Sequence, residues 1–405
     1  MTTEQLIFNL VTALGGLAVF LYGMDFLGKS LERTAGGKLQ TILGKMTSNR
    51  FKGFLLGAGV TAVIQSSSAT TVMVVGFVNS GLMSLRQAIG IIMGSNVGTT
   101  ATAWILSMAG IEGDAFFIKM LKPTFFSPII AVIGIVLYMF LKSEKKKNIG
   151  AIMLGFALLM FGMDTMSGAL KDLGQLEWFS NIFLTLGRNP LLGVLAGTVL
   201  TAIIQSSSAS VGILQSLAGA GLVSFSCALP IILGQNIGTC ATALLSSVGT
   251  SKNARRTALV HLYFNIIGMA TFLAAFLLTD ALFDLPLFAD DNFIDEKTVA
   301  VIHTVFNLVT TFLLLPFAGL LEKLALKTVK DKKEGEKEQA VLLDERLLGT
   351  PSAAVSRATQ VSRQMAEQAG KAFLSALDLF ENYSEEGFAA VKELEDQTDK
   401  VEDAL

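Results

Sequence analysis

The chain has 405 residues, of which 52 % are hydrophobic and only 16 % charged, and its formal net charge is −2. That composition excludes an ordinary water-soluble protein and points to one that sits in a lipid bilayer, with no nucleic-acid partner expected. The charge is unevenly spread: residues 329–405 hold 10 Lys/Arg and 17 Asp/Glu, against 21 and 16 in all that precedes. Residues 1–328 therefore read as a transmembrane domain, and 329–405 as a charged linker followed by a water-soluble helical tail.

In chain order, apolar runs near the roughly 20 residues that a helix needs to cross a bilayer occur seven times, at 6–27, 85–109, 116–141, 149–170, 225–248, 257–278 and 299–321. The first has an acidic flank at Glu4 and neither a basic leader nor a cleavage pattern, so it reads as a retained span. Two further segments, about 51–80 and 191–220, each consist of two short apolar arms broken at a polar centre. The centres are QSSSAT at 65–70 and QSSSAS at 205–210, 140 residues apart, and at this offset 22 of the 47 residues in 57–103 recur in 197–243. The fold expected is an all-α polytopic membrane protein built as a repeat, with repeat one at about 6–141 and repeat two at about 149–323. Each QSSS segment is read as a re-entrant hairpin that enters and leaves on one side, because irregular backbone at that depth needs surrounding protein or a water-filled cavity.

A second duplicated element follows each hairpin, GSNVGTTATA at 94–103 and GQNIGTCATA at 234–243. Its Asn, Gly and Thr cluster predicts an unwound point in a crossing helix, with Thr99 or Thr239 capping the renewed half-helix.

Loop charge fixes the orientation. With the N-terminus outside, cytoplasmic loops receive fourteen Lys/Arg and external ones five, as the positive-inside rule expects, and the tail lies in the cytoplasm. Three crossings separate the hairpins, so the halves are inverted and the two tips meet near mid-membrane.

The tips carry hydroxyls and amides and no ionisable group: Gln65, Ser66, Ser67 and Ser68 in one, Gln205, Ser206, Ser207 and Ser208 in the other. Backbone N–H groups and a partial charge of about +0.5 at each new helix start suit an anion, while freed carbonyls and side-chain oxygens suit a hard cation. An anion with more than one negative charge would exceed what two helix starts neutralise, so a co-bound cation is the natural complement. No His or Lys neighbours either Ser triplet in sequence, which argues against a Ser nucleophile and against an enzyme.

Other polar residues read as structural. Asp25 in LYGMD and Asp164 in MFGMD lie near span ends and read as anchors, with Lys29 one turn beyond Asp25. His261 and His303 each head a His-x-x-Phe-Asn pattern and read as helix-packing hydrogen bonders, and Cys227 and Cys240 as packing residues. In the tail, Val355, Ala358, Val361, Met365, Phe373, Leu377 and Phe380 trace one helix face.

The paired QSSS segments, the two Asn-x-Gly-Thr elements and the stretch from Arg255 through His261, Phe264 and Asn265 together resemble the sodium/phosphate cotransporter family, over roughly residues 6–325. The resemblance implies a bacterial inner-membrane carrier that moves inorganic phosphate with sodium by alternating access. By position, Ser66, Ser67, Ser68, Ser206, Ser207 and Ser208 would hold phosphate, and Gln65, Gln205, Asn96, Thr99, Thr100, Asn236 and Thr239 would serve sodium or the tips. Where electrogenic animal members carry an acidic residue after the first broken helix, this chain reads FFIKMLKPTFFSP at 116–128, so stoichiometry and electrogenicity do not carry over. The tail resembles the start of a PhoU-like helical domain, which would contact a cytoplasmic regulatory protein or a second copy of the chain. A phosphate exporter, a carrier of another oxyanion and a membrane-bound phosphate sensor are the alternative readings.

Overall fold

In the computed structural model the described residues are 1–45, 49–111, 113, 115–283, 285–289, 292–330 and 351–405. Among them the regular structure is helical, apart from an isolated bridge between Ser224 and Phe293. Among the described residues seven helices are long and apolar enough to cross a membrane, in agreement with the seven apolar runs.

The first helix, α1 (Thr3–Lys45), is much longer than its apolar run and packs along α7 (Glu144–Leu173). Small residues set that contact: a Cβ on Gly16 or Gly23 would strike the backbone of Met166 or Leu159, and one on Gly155 or Gly162 that of Leu27 or Phe20. The pairing of early α1 with late α7 makes the two antiparallel. The apolar run at 116–141 splits into α5 (Phe116–Leu121) and α6 (Pro123–Phe140), and Pro123 opens α6 as proline does at a first helical position.

Each QSSS segment is two helices, as the broken pattern predicts. The first comprises α2 (Arg50–Ile64) and α3 (Ser67–Asn79), and the second α9 (Pro190–Ile204) and α10 (Ser207–Gly219). Ahead of α9, α8 (Glu177–Arg188) joins at a 110° bend. After α3 comes α4 (Leu85–Leu106), and after α10 comes α11 (Phe225–Ser246). The first lies parallel to α2: Cβ atoms on Gly90, Gly94 and Gly98 would meet the carbonyls of Arg50, Phe54 and Ala58 in turn. In the second half Gly234 and Gly238 stand in the same way against Val194 and Thr198 of α9.

The expected breaks in these two crossing helices are not there: α4 and α11 are continuous through GSNVGTTATA and GQNIGTCATA. The polar side chains turn inward on their own helix instead of capping a new one. Thr99 Oγ1 donates to the Ser95 carbonyl at 3.1 Å and Thr239 Oγ1 to that of Gln235 at 2.9 Å, which leaves the i→i−4 ladder intact. The glycines there serve the close approach of α2 and α9.

The second half closes with α12 (Lys252–Phe283), α13 (Glu296–Leu314) and α14 (Ala318–Thr328). Arg50 and Arg86, at the starts of α2 and α4, reach Glu322 of α14 at 3.5 and 3.6 Å. Most of the charged linker expected at about 327–339 lies outside the described residues. The tail forms α15 (Pro351–Asp378) and α16 (Glu385–Ala404), which pack on each other, with Val361 and Val401 buried. Ala354 packs against the buried cluster of Val60, Ile64, Val74 and Phe77 between α2 and α3. Val355, Phe373 and Phe380 are exposed, so the tail's apolar face is covered only in part.

Candidate functional site at the paired tips

Each tip is built by the same local devices. The last residue before the break, Gln65 or Gln205, adopts a left-handed backbone at φ 61° or 59°, and these are the positive-φ non-glycine residues among those described. Its N–H closes the preceding helix on Thr61 or Thr201, each at 2.7 Å. The next residue caps the following helix: Ser66 Oγ accepts from the Ala69 N–H at 3.1 Å and Ser206 Oγ from that of Ala209 at 3.2 Å. The two arms are then tied by a buried hydroxyl pair, Thr61 to Thr70 at 3.0 Å and Thr201 to Ser210 at 2.8 Å.

The two tips meet. Ser67 Oγ lies 3.5 Å from Ser207 Oγ, and Ser68 Oγ donates to the Gln205 carbonyl at 3.3 Å, so residues 140 apart in sequence share one place. The N-termini of α3 and α10 therefore converge, each with first-turn N–H groups that have no acceptor within their own helix. A cavity of about 550 Å³ opens beside them. Residues 64–69 and 204–209 form two of its walls, and one face of α1 forms the third, with Leu21, Met24, Asp25, Gly28, Lys29 and Glu32.

All six serines and both glutamines of the sequence reading thus stand at the cavity. The glutamines differ: Gln65 is buried, donates through Nε2 to the Ala62 carbonyl and leaves Oε1 without a protein partner, while Gln205 is exposed. That orphaned, buried acceptor fits a hard cation.

Asn96, Thr99, Thr100, Asn236 and Thr239 are not brought to the cavity. They are buried in α4 and α11, with hydrogen bonds to their own helix, and Asn96 Oδ1 also meets His261 Nε2 at 3.3 Å. His303 is buried beside Asn307, so both histidines sit in helix packing. Cys227 and Cys240 are buried and unpaired by disulfide.

The α1 wall was missed by the sequence reading. Asp25 and Lys29 form an ion pair at 2.7 Å on the cavity side, so a basic group does face the tips. The signal was their four-residue spacing, which puts both on the face that also carries Gly28 and Glu32.

The Na+/Pi-cotransporter family model matches residues 19–168 and again 158–284, once for each half. Among curated relatives, "Putative inorganic phosphate export protein YjbB" of Salmonella typhimurium is 28 % identical over 87 % of this chain and 62 % of its own length. "Uncharacterized protein YqeW" of Bacillus subtilis is 33 % identical over 75 % of this chain and 93 % of its own. "Sodium-dependent phosphate transport protein 2A" of Rattus norvegicus is 40 % identical over 24 % of this chain and 15 % of its own. The chain spans 62 % of the length of the Salmonella relative. No solved structure matches. Two family matches that together span residues 19–284, and bracket both QSSS tips, show that the chain belongs to the Na+/Pi-cotransporter family, whose members are transporters and not enzymes.

Proposed function

We propose that this protein carries inorganic phosphate across the membrane together with sodium, by alternating access at the paired tips. The observation that carries this reading is the 3.5 Å approach of Ser67 to Ser207, which faces two helix N-termini at one cavity. Hydroxyls and first-turn amides of Ser66, Ser67, Ser68, Ser206, Ser207 and Ser208 would receive the phosphate oxygens. Sodium would take the free Oε1 of Gln65 and, in the companion tip, Gln205; the residues buried in α4 and α11 would support the tips from behind. The name of the rat relative supports the coupling ion.

The hairpins are re-entrant and the halves inverted in this reading. Support comes from α2 and α4 lying parallel with their starts side by side, at Arg50 and Gly90, so that α3 has to return to the level at which α2 began. The positive-inside count then puts the N-terminus outside and the tail in the cytoplasm of a bacterial inner membrane. Residues 1–328 form the transport domain, and 329–405 the linker and a PhoU-like helical tail.

Export is the second reading, favoured by the name of the Salmonella relative, because the site's chemistry is the same for either direction. The deciding experiment is uptake of radiolabelled phosphate into proteoliposomes under imposed sodium, proton or potassium gradients. An inward sodium gradient is expected to drive accumulation. Equal uptake with potassium in place of sodium would remove the coupling, and binding without flux would make the protein a sensor.

A further inference from the structure

The tips hold no ionisable side chain, yet the cavity they share does, and its chemistry points to a second role for α1. Asp25, Gly28, Lys29 and Glu32 fall on one helix face, at the spacing that stacks side chains over successive turns, and all four line the cavity. Gly28 leaves the wall open between the charges, since a Cβ there would meet nothing within 4 Å. The Asp25 and Lys29 side chains are 55 % and 63 % exposed, so neither is locked by packing, and an exposed i, i+4 pair of this kind is weak. Lys29 has three ammonium donors on a flexible stem, whereas every other group that the cavity presents to an anion is neutral or acidic.

We infer that Lys29 is a positioning and specificity residue for the anion: it leaves Asp25 to meet phosphate at the tips and returns to Asp25 when the cavity is empty. This rests on the proposal that phosphate binds at the tips. A doubly charged oxyanion outbids a single carboxylate for the ammonium, through short charge-assisted hydrogen bonds. The exchange also alters the wall. With Lys29 on the anion, Asp25 faces the cavity unpaired and within two turns of Glu32, and the local field then favours a cation from solution. Anion entry and sodium entry are thereby linked at the α1 wall, with no movement of a helix.

The test is equilibrium binding of radiolabelled inorganic phosphate to the purified full chain, at fixed sodium, with ionic strength adjusted by N-methylglucamine chloride. Lys29→Gln is expected to raise the phosphate Kd by about three- to tenfold at low ionic strength, with the difference shrinking as salt screens it. Lys29→Arg keeps the charge and should stay within about twofold of the wild type. Asp25→Asn removes the competitor, so phosphate should bind at least as tightly, and repeating the titration over a range of sodium concentrations at constant ionic strength should show a weaker dependence on sodium. A purely structural role for the pair predicts that Lys29→Gln and Asp25→Asn change binding in the same direction, at every ionic strength. Ser67→Ala serves as the control on the underlying proposal. Wild-type affinity in Lys29→Gln, with Ser67→Ala weakened, would overturn the role of Lys29 alone; wild-type affinity in both would overturn the phosphate site as well. Should Lys29→Gln fail to fold, Asp25→Asn decides the matter: phosphate binding at least as tight as in the wild type supports the exchange, and weaker binding would overturn the role of Lys29.

Discussion

Gln65 and Gln205 occupy a backbone conformation that glycine would take at lower cost, and this makes them the sharpest place to separate structure from function. At φ near 60° a residue with a Cβ is disfavoured by about 1 kcal/mol or more, and the position after a helix end is the one where glycine is most often found. If the tips needed only a sharp turn, Gln65→Gly and Gln205→Gly would be harmless or stabilising. The side-chain oxygen of Gln65 is instead buried with no protein partner, beside the converging helix starts. Removing a group that bonds an ion should cost about 1.5–3 kcal/mol of binding, a factor of roughly ten to a hundred. Alanine calibrates the backbone term, because it loses the same side chain yet keeps the left-handed strain. Thermal unfolding in detergent should therefore find Gln65→Gly more stable than Gln65→Ala by about 1 kcal/mol. In proteoliposomes both should lose sodium-dependent phosphate accumulation by at least about tenfold. Wild-type uptake and sodium dependence in Gln65→Gly would refute the reasoning, and would reduce the glutamine to a helix stop.

Ser67→Ala or Ser207→Ala deletes one hydroxyl of the pair at the tip and should weaken phosphate binding by about tenfold or more, with normal folding; unchanged affinity in both purified variants would take these serines out of the site. Gly94→Ala and Gly234→Ala would drive a Cβ onto the Phe54 and Val194 carbonyls and should each cost about 1–3 kcal/mol, whereas Gly59→Ala, with open space around it, should not destabilise; equal melting of all three would contradict the parallel packing. Asp295 caps α13, and although partial burial raises its pKa, hydrogen bonds from the Thr298 hydroxyl and amide leave it below the ordinary carboxylate value. Its contribution is therefore present above the unfolded-state pKa and lost as pH falls through the folded value, so Asp295→Ala should cost about 1 kcal/mol at neutral pH and flatten the acid limb of stability; identical pH profiles would exclude this. Single cysteines at Ala62 and Ala202, with Cys227 and Cys240 replaced, should be reached by membrane-impermeant reagents from opposite sides and change together on adding sodium and phosphate; labelling from one side only, indifferent to both ions, would contradict inverted hairpins.

Duplication made the meeting of the tips legible. One Ser triplet in an apolar run is ordinary packing, but two at the same offset, each between short apolar arms, leave little else that the arms can do except bring the triplets to one place. The continuity of α4 was not legible, because Asn, Gly and Thr break a helix in one setting and pack it in another. What decides is the neighbour: Gly94 and Gly98 accept the α2 backbone, and the hydroxyls of Thr99 and Thr100 find carbonyls on their own helix, so no new cap is needed. The place of Lys29 at the cavity was not legible for a related reason. A lysine at the end of a span is an orientation signal by default, and only the helix face it shares with Asp25 and Glu32, set against the tips, makes it part of the cavity.

Sequence symmetry and structural asymmetry together bear on the proposed mechanism. The two tips have the same dihedrals, the same caps and the same hydroxyl ties, yet Gln65 is buried and Gln205 exposed. The two acidic motifs match as well, yet Asp25 lines the cavity while Asp164 on α7 does not. Equivalent sequences in unequal surroundings fit the alternating access proposed above, in which the halves would exchange environments and not local structure. The local devices that would have to survive such an exchange, the left-handed glutamine and the capping serine, are held by bonds within each hairpin. The contacts that would have to change, Ser67 to Ser207 and Ser68 to Gln205, are long hydroxyl contacts of 3.5 and 3.3 Å between hairpins, weak enough to be replaced by an ion that offers better acceptors. Strong bonds thus keep each tip intact, while the weak seam between the tips is where phosphate would enter.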